Sequence, residues 1–208
     1  MCVFHFLGSI FAFIKDNITG FSWLTGMYFA YRGLLVWRAQ MTGKDKYEVA
    51  KNLLTTIYNV REKIGYLRSP MFMGGEIEAG MKKHFPDHPF NFYDQSAEDE
   101  KMVERAVMAG RWSKVRAVLL EYQVIKFVAI VHWDKPIENA FRRFEKVING
   151  LKIRVDMLPR LDKNAQDGSK EKFNDYIFGL EDEATDKFGI EFNASIEDIK
   201  AIIRPALK

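Results

Sequence analysis

The residues with the clearest potential for chemistry lie between Glu76 and His88. His84 and His88 flank a Phe-Pro-Asp sequence, and Glu76 and Glu78 precede them. Imidazole and carboxylate groups are common ligands of zinc and other transition metals. Two histidines four residues apart converge only on a regular helix, and Pro86 interrupts a helix between these two. We therefore interpret the segment as a polar surface loop and predict neither a metal nor a cofactor.

Sequence motifs of the common enzyme classes are missing. The chain contains no P-loop, no G-x-S-x-G and no H-E-x-x-H motif, and its single cysteine is Cys2. Its 31 basic and 28 acidic residues leave a net charge of +3, too small a basic excess for a dedicated nucleic-acid-binding protein. We predict a protein without catalytic residues. A hydrolase that uses His84, Asp87 and His88 within residues 69–97 stays open as a minor alternative.

The amino-terminal segment, residues 1–43, is almost free of charge and is predicted to anchor the protein in a membrane. Residues 18–37 contain a single charged side chain, Arg32, and twenty helical residues span roughly 30 Å, the thickness of a bilayer core. Aromatic side chains cluster toward its carboxyl end, as in the aromatic belts of membrane proteins. The predicted anchor residues are Trp23, Tyr28, Tyr31, Arg32 and Trp37.

The orientation of this anchor follows from the flanking positive charges. Arg38, Lys44, Lys46 and Lys51 follow the apolar stretch, whereas only Lys15 precedes it. The positive-inside rule then places the following domain, residues 44–208, in the cytoplasm. Two alternatives stay open: a soluble protein whose amino-terminal helices are covered by its own core or by a partner, and a cleaved signal peptide.

Residues 44–208 are predicted to form a helical bundle, so the fold class is all-α. The segment 44–68 has apolar residues at alternating spacings of three and four, a heptad pattern that we call the 50–67 seam. Its members are Ala50, Leu53, Ile57, Val60, Ile64 and Leu67. The seam could pack within the bundle or against a second copy of the chain, and it is the predicted self-association surface.

Further helices are expected at about 96–133, 137–158, 171–187 and 195–203. Ser96 is a candidate N-cap, Asp134-Lys135-Pro136 is expected to form a turn, and Ser195 is expected to begin the last helix. Residues 189–195 are the only strand candidate, and the candidate is short.

Two stretches, 31–70 and 110–124, resemble a family of uncharacterised bacterial proteins with an amino-terminal membrane segment. The shared patterns are A-x-x-L-L…Y-x-x-R-x-x-I…R-x-P and a W-x-x-V-R-like helix start. The layout is also similar to that of the small pore-forming membrane accessory of type VI-B CRISPR systems. The family resemblance implies a helical protein anchored in the bacterial inner membrane. A role in bacterial stress or phage defence is our hypothesis for such a protein.

The resemblance singles out four positions, Tyr58, Arg61, Arg68 and Trp112. Arg61 and Arg68 are seven residues apart and so share one helix face. They could bind an anion or an acidic partner, or pair with acidic residues across the bundle.

Together these features predict a scaffold, sensor or pore-type protein that self-associates at a lipid bilayer and could also bind a protein partner. The alternative is a soluble helical protein-interaction module.

Overall fold

The computed structural model describes residues 2–88, 96–158, 169–179 and 185–207; side chains are described from residue 25 on, except those of residues 38, 39, 97, 169 and 170. Every regular element in these ranges is a helix. The α-helices are α1 (Cys2–Leu67), α2 (Gly74–His84), α3 (Ala97–Met157), α4 (Ser169–Phe178) and α5 (Lys187–Ile203), and a 3₁₀ helix follows at Arg204–Leu207. The predicted all-α class is therefore confirmed.

The chain divides into two compact units, residues 1–46 and 47–208. The first unit is the amino-terminal part of α1. The second unit holds the remainder of α1 and all later helices, and it is a helical bundle with a continuous apolar core. Across the described part of the chain, no helix combines the length and the apolar character needed to cross a membrane.

The core of the second unit forms where α1, the two halves of α3 and α5 meet. All six residues of the 50–67 seam are buried, with 0–2% of their surface exposed. Aromatic rings continue the core: the Phe144 and Phe192 centroids lie 5.4 Å apart, and those of Phe188 and Phe192 lie 5.2 Å apart. The single chain thus covers its own seam, as the within-bundle interpretation has it, and leaves none of the six residues on the surface for a second copy.

Helix α3 is broken at Asp134, where the backbone adopts φ 52° and ψ −143°. Pro136 follows at the start of the second half, where its missing N–H is not needed. The predicted turn at 134–136 is confirmed. It lets the two halves pack against each other, and the edge-to-face contact of Tyr122 with Phe141, with centroids 5.7 Å apart, joins them.

Helix α2 packs against the first half of α3 through a close contact at Gly80. A Cβ atom at this position would lie 3.1–3.2 Å from the backbone carbonyl and Cβ of Ala106. Ser96 caps α3 as predicted: its hydroxyl accepts the N–H of Asp99, and Asp99 in turn accepts the Ser96 N–H. This capping box fixes the start of α3.

The predicted start of the last helix was wrong. The helix begins at Lys187 rather than near Ser195, so it includes residues 189–195, the short stretch that was the only strand candidate. Asp186 is its N-cap and accepts the N–H of Gly189 at 3.0 Å. Ser195 is buried within the helix, where its hydroxyl donates to the Phe192 carbonyl. A serine in mid-helix often makes this back-bond, which the sequence pattern does not distinguish from a cap.

Candidate functional site

The most elaborate polar arrangement in the described structure surrounds Arg111, whose side chain is only 2% exposed. Its guanidinium donates to both carboxylate oxygens of Glu76, at 3.1 and 2.8 Å. It also donates to the backbone carbonyls of Ser69 at 2.5 Å and Met71 at 2.6 Å. A buried guanidinium is stable when its donors are satisfied in this way.

Two aromatic rings complete the surroundings of Arg111. The guanidinium carbon lies 5.1 Å from the Tyr66 ring centroid and 5.0 Å from that of Phe72. The Tyr66 hydroxyl also contacts the Glu76 carboxylate. Hydrogen bonds from Arg111 lower the pKa of Glu76 to about 2. These contacts hold the end of α1, the 68–73 connection and α2 against α3. Because the charged groups of Arg111 and Glu76 are bound to each other, we interpret the arrangement as structural.

Arg68 forms a second ion pair, which joins the end of α1 to the start of α5. It binds both oxygens of Asp186, at 2.8 and 2.7 Å, and donates to the Ile177 carbonyl at 2.8 Å. Its guanidinium carbon lies 4.6 Å from the Phe188 ring centroid. Burial alone would raise the pKa of Asp186, but the hydrogen bonds from Arg68 and from the backbone hold that pKa below its ordinary value.

Gly179, beside Arg68, adopts a positive φ of 59°. A Cβ atom there would lie 2.5 Å from an Arg68 guanidinium nitrogen. Position 179 therefore requires glycine for its backbone conformation and because the Arg68 guanidinium occupies the space of a Cβ atom.

The other predicted polar positions are not brought together with Arg68. Arg61 is exposed, and Tyr58 is 42% exposed. Trp112 is half-buried against the core, and the Lys152 amine lies 5.3 Å from its ring centroid. The four residues therefore do not form one site, and Arg68 makes the pairing across the bundle that was the alternative to anion binding.

One of the two histidines in the segment 84–88 makes a structural contact with the start of α3. His88 Nε2 lies 2.6 Å from Asp99 Oδ1, and His84 is exposed. Hydrogen bonds from Ser96 and His88 lower the pKa of Asp99 to about 2. Over the described residues, no group of three or more histidine, cysteine or acidic side chains is placed to hold a metal ion.

A cleft of about 960 Å³ lies between the second half of α3, α4 and α5. Five basic and three acidic side chains line it. Arg154 stacks over the Tyr176 ring at 3.8 Å, and Arg143 pairs with Asp198. Ser195 reaches the cleft wall, but its hydroxyl already donates within α5.

The amino-terminal unit presents a different kind of surface, because apolar side chains are exposed on all sides of the helix. From Met27 to Trp37, the large apolar side chains have 43–69% of their surface exposed. Arg32 and Tyr28 form a cation–π contact at 5.9 Å. Tyr31 is exposed with them, and the side chain of the fifth predicted anchor residue, Trp23, lies outside the described residues.

No family model matches this chain, and no curated protein and no solved structure is significantly similar to it.

Sequence analysis missed three residues that organise the polar contacts, Arg111, Glu76 as its partner, and Asp186. Arg111 directly precedes Trp112 and lies within the stretch 110–124 that carried the family resemblance. Its signal was a single charged residue in the apolar run 106–112. Its partner Glu76 lies 35 residues away, so no local pattern could connect the two.

Proposed function

We propose that the chain is a non-enzymatic, membrane-associated scaffold, in which the amino-terminal part of α1 attaches the helical bundle to a lipid bilayer. The observation that carries this proposal is the exposure of apolar side chains on every side of α1 between Met27 and Trp37. A helix that is apolar all round requires a cover of lipid or protein, since exposed patches of this size are rare on soluble proteins.

The composition of the segment favours insertion among other helices over lying flat on a membrane surface. A helix that lies in the interface needs a strongly charged face, and residues 18–37 have only Arg32. Their glycine, threonine and tyrosine residues make them less apolar than a typical lone span. Gly26, Ala30 and Gly33 share one face of the helix, and small residues at such spacing permit close helix–helix packing in bilayers. We therefore propose that copies of the segment associate with one another in the bilayer.

Flotation of the full-length chain tests the membrane proposal. After expression, membranes are floated on a density gradient, which separates membrane-bound protein from sedimenting aggregates. We expect the chain to float and to require detergent for extraction. The variant Leu34→Glu with Leu35→Glu should lose flotation because it places two charges in the apolar segment. The control Ile190→Glu, at an exposed apolar residue of α5, should still float. Recovery of the native chain without detergent contradicts the proposal.

Mass determination in mild detergent tests the contact between segments. Gly26→Leu with Ala30→Leu should shift the complex to lower mass, since the added side chains hold the helices apart. Thr25→Leu is the matched control, because it makes a similar change about 100° around the same helix. Equal masses for both variants contradict the packing through small residues.

The second candidate function is a soluble interaction module in which a protein partner covers the same apolar segment. The exposed aromatic residues Tyr28, Tyr31 and Trp37 favour it, because aromatic side chains are enriched at protein interfaces. A chain that co-purifies with one stoichiometric protein from the soluble fraction, and does not float, supports this candidate.

A further inference from the structure

Arg154 differs from the other arginines that the helical bundle covers. Among the described residues, three arginine side chains are buried or half-buried: Arg68, Arg111 and Arg154. The first two each bind both oxygens of one carboxylate. Arg154 forms no ion pair with a carboxylate in the described part of the chain. The cleft between the second half of α3, α4 and α5, which Arg154 lines, therefore contains a half-buried positive charge without a protein counter-ion there.

The guanidinium of Arg154 is held by contacts that leave most of its donors unused. Its carbon lies 3.8 Å from the centroid of the Tyr176 ring, and one nitrogen donates to the Gly150 carbonyl at 3.1 Å. That is its one hydrogen bond within the described residues, whereas a guanidinium has five N–H donors. Stacking on an aromatic ring fixes the plane of the guanidinium, so its remaining donors are ordered before a ligand binds.

Gly150 keeps the floor of the cleft open beside Arg154. A Cβ atom at this position would lie 3.5 Å from an Arg154 guanidinium nitrogen and 3.8 Å from the Tyr176 hydroxyl. Burial raises the pKa of Tyr176, so this hydroxyl stays protonated, and it forms no hydrogen bond with another described residue. The missing side chain at position 150 thus leaves two kinds of donor accessible from the cleft.

The cleft carries an excess of positive charge. Two of its eight charged side chains are neutralised by residues that do not line it. Asp186 binds Arg68. Arg143 pairs with Asp198. The remainder are four basic residues, Lys146, Arg154, Lys172 and Lys187, and two acidic residues, Asp175 and Glu191. No ion pair joins any of these four basic residues to a described carboxylate, so the cleft favours an anion.

Apolar side chains form the rest of the cleft wall. Val147 and Phe173 are half-buried there, and Ile190 is 51% exposed. The volume of about 960 Å³ is near the upper end of the range for small-molecule pockets, roughly 300–1,000 Å³. The cleft therefore suits a ligand of about nucleotide size that has both an anionic and an apolar part.

We propose that this cleft binds a phosphorylated organic molecule, with its phosphate at Arg154 and its apolar part against Val147, Phe173 and Ile190. Arginine binds phosphate oxygens through two parallel hydrogen bonds, and lysines add positive charge around them. A soluble nucleotide and the headgroup of an anionic lipid both present a phosphate ester. The proposal concerns the second unit alone and does not rest on membrane association.

Binding of radiolabelled ATP to the full-length chain in mild detergent, measured by equilibrium dialysis, tests this proposal. We expect saturable binding of one ATP per chain. Arg154→Gln should weaken binding about tenfold or more, because a pair of charge-assisted hydrogen bonds is lost. The control Arg142→Gln removes the same charge from an exposed residue that pairs with Glu138 and does not line the cleft. Its affinity for ATP should stay within about twofold of the native value.

Gly150→Met separates ligand binding from folding. The new Cβ atom makes ordinary van der Waals contacts, and methionine favours a helix more than glycine, so the urea midpoint should not fall. The added side chain enters the cleft beside Arg154, and ATP binding should be lost. The matched control is Gly65→Met, at an exposed glycine of α1 with no atom within 4 Å of its Cβ position. It should bind ATP as the native chain does.

Competition separates the two parts of the ligand and its two sources. Pyrophosphate and adenosine should each displace ATP at least about tenfold less effectively than unlabelled ATP, because each lacks one of the two parts. Displacement by phosphatidylglycerol in mixed micelles, and not by phosphatidylcholine, identifies a lipid headgroup as the source. Displacement by neither lipid identifies a soluble phosphate ester.

Four results overturn the proposal. The first is no ATP binding at millimolar concentration by a chain that is folded by circular dichroism. The second is equal affinity for ATP and pyrophosphate, because the apolar wall then takes no part. The third is an equal loss of affinity in Arg154→Gln and Arg142→Gln, which indicates a general effect of charge.

The fourth result concerns acidic residues that precede α5 in the chain and lie outside the described residues. If a variant with Glu181→Gln, Asp182→Asn and Glu183→Gln binds ATP and the native chain does not, these carboxylates occupy the cleft themselves. None of the measurements uses flotation, so failure of ATP binding and failure of membrane association are distinguishable.

Discussion

At the residue scale, the buried Arg111–Glu76 pair shows how a charged contact can hold several elements together. The guanidinium donates hydrogen bonds to two carbonyls of the 68–73 connection and to the carboxylate of Glu76 in the first turn of α2. A buried ion pair adds little stability over an apolar replacement of both partners, but removal of one partner leaves the other charge unpaired. The effect of substitution at this site should therefore be large and dependent on pH.

We predict that Glu76→Gln lowers the free energy of unfolding by about 2–4 kcal/mol at pH 7. The pKa of Glu76 falls from 4.5 to about 2 in the folded chain, so its ionised form stabilises the fold fully above pH 4.5. This contribution is lost as the pH falls toward 2. The difference between variant and native chain in urea unfolding should shrink over that window.

The control for this prediction is Glu78→Gln, two residues away on the exposed side of α2. It should change the unfolding free energy by less than about 0.5 kcal/mol. A Glu76→Gln effect that is the same at pH 7 and pH 3 would show that the carboxylate charge is not the source of the stability.

At the element scale, the break at Asp134 lets the two halves of α3 pack against each other. Asp134 adopts φ 52° and ψ −143°, a region that glycine occupies far more readily than other residues. The strain of a non-glycine residue there is of the order of 1–3 kcal/mol, and the core packing of Tyr122 on Phe141 across the break maintains it.

We predict that Asp134→Gly raises the free energy of unfolding by about 1 kcal/mol, because relief of strain exceeds the added entropy of the unfolded chain. Denaturant unfolding measures the change. Asn139→Gly, at an exposed site inside the second half of α3, should instead destabilise the fold by about 0.5–1 kcal/mol. If both substitutions destabilise equally, the Asp134 conformation stores no strain.

At the scale of the whole molecule, the described buried residues all belong to the second unit. The first of them in the chain is Ala50, and the core cluster extends from there to Ile203. A unit with its own continuous core has the main requirement for independent folding.

We predict that a chain of residues 47–208 folds without the amino-terminal unit. It should keep a cooperative thermal transition within a few degrees of the full-length chain and should no longer float with membranes. Near-ultraviolet circular dichroism measures the ordered aromatic core. A truncated chain without that signal would show that residues 1–46 are part of the core, as the alternative of buried amino-terminal helices requires.

Much of the fold could be predicted from local patterns. The seam spacing predicted α1 beyond Ala50, and Asp134-Lys135-Pro136 predicted the break in α3, because turn-forming residues act within a few positions. The predicted start of α5 was wrong, because Asp186 and Ser195 are both plausible N-cap residues in this segment. Only the packing of Phe188 and Phe192 in the core decides between them.

The candidate sites were less accessible to prediction than the helices. Arg68 was singled out, but its partner Asp186 is 118 residues away, and Arg111 was not singled out at all. Ion pairs of this kind depend on which helix ends meet, and that is a property of the bundle rather than of any one helix.

The sequence by itself determined the helices, the charge-poor amino terminus and the existence of the 50–67 seam, because periodicity and composition are local properties. Only the tertiary structure decided which surfaces are covered. The bundle buries the 50–67 seam within a single chain and leaves Leu120, Val124, Phe127 and Val131 of α3 exposed. An apolar period shows that a helix face must be covered, and the packing of distant segments determines what covers it.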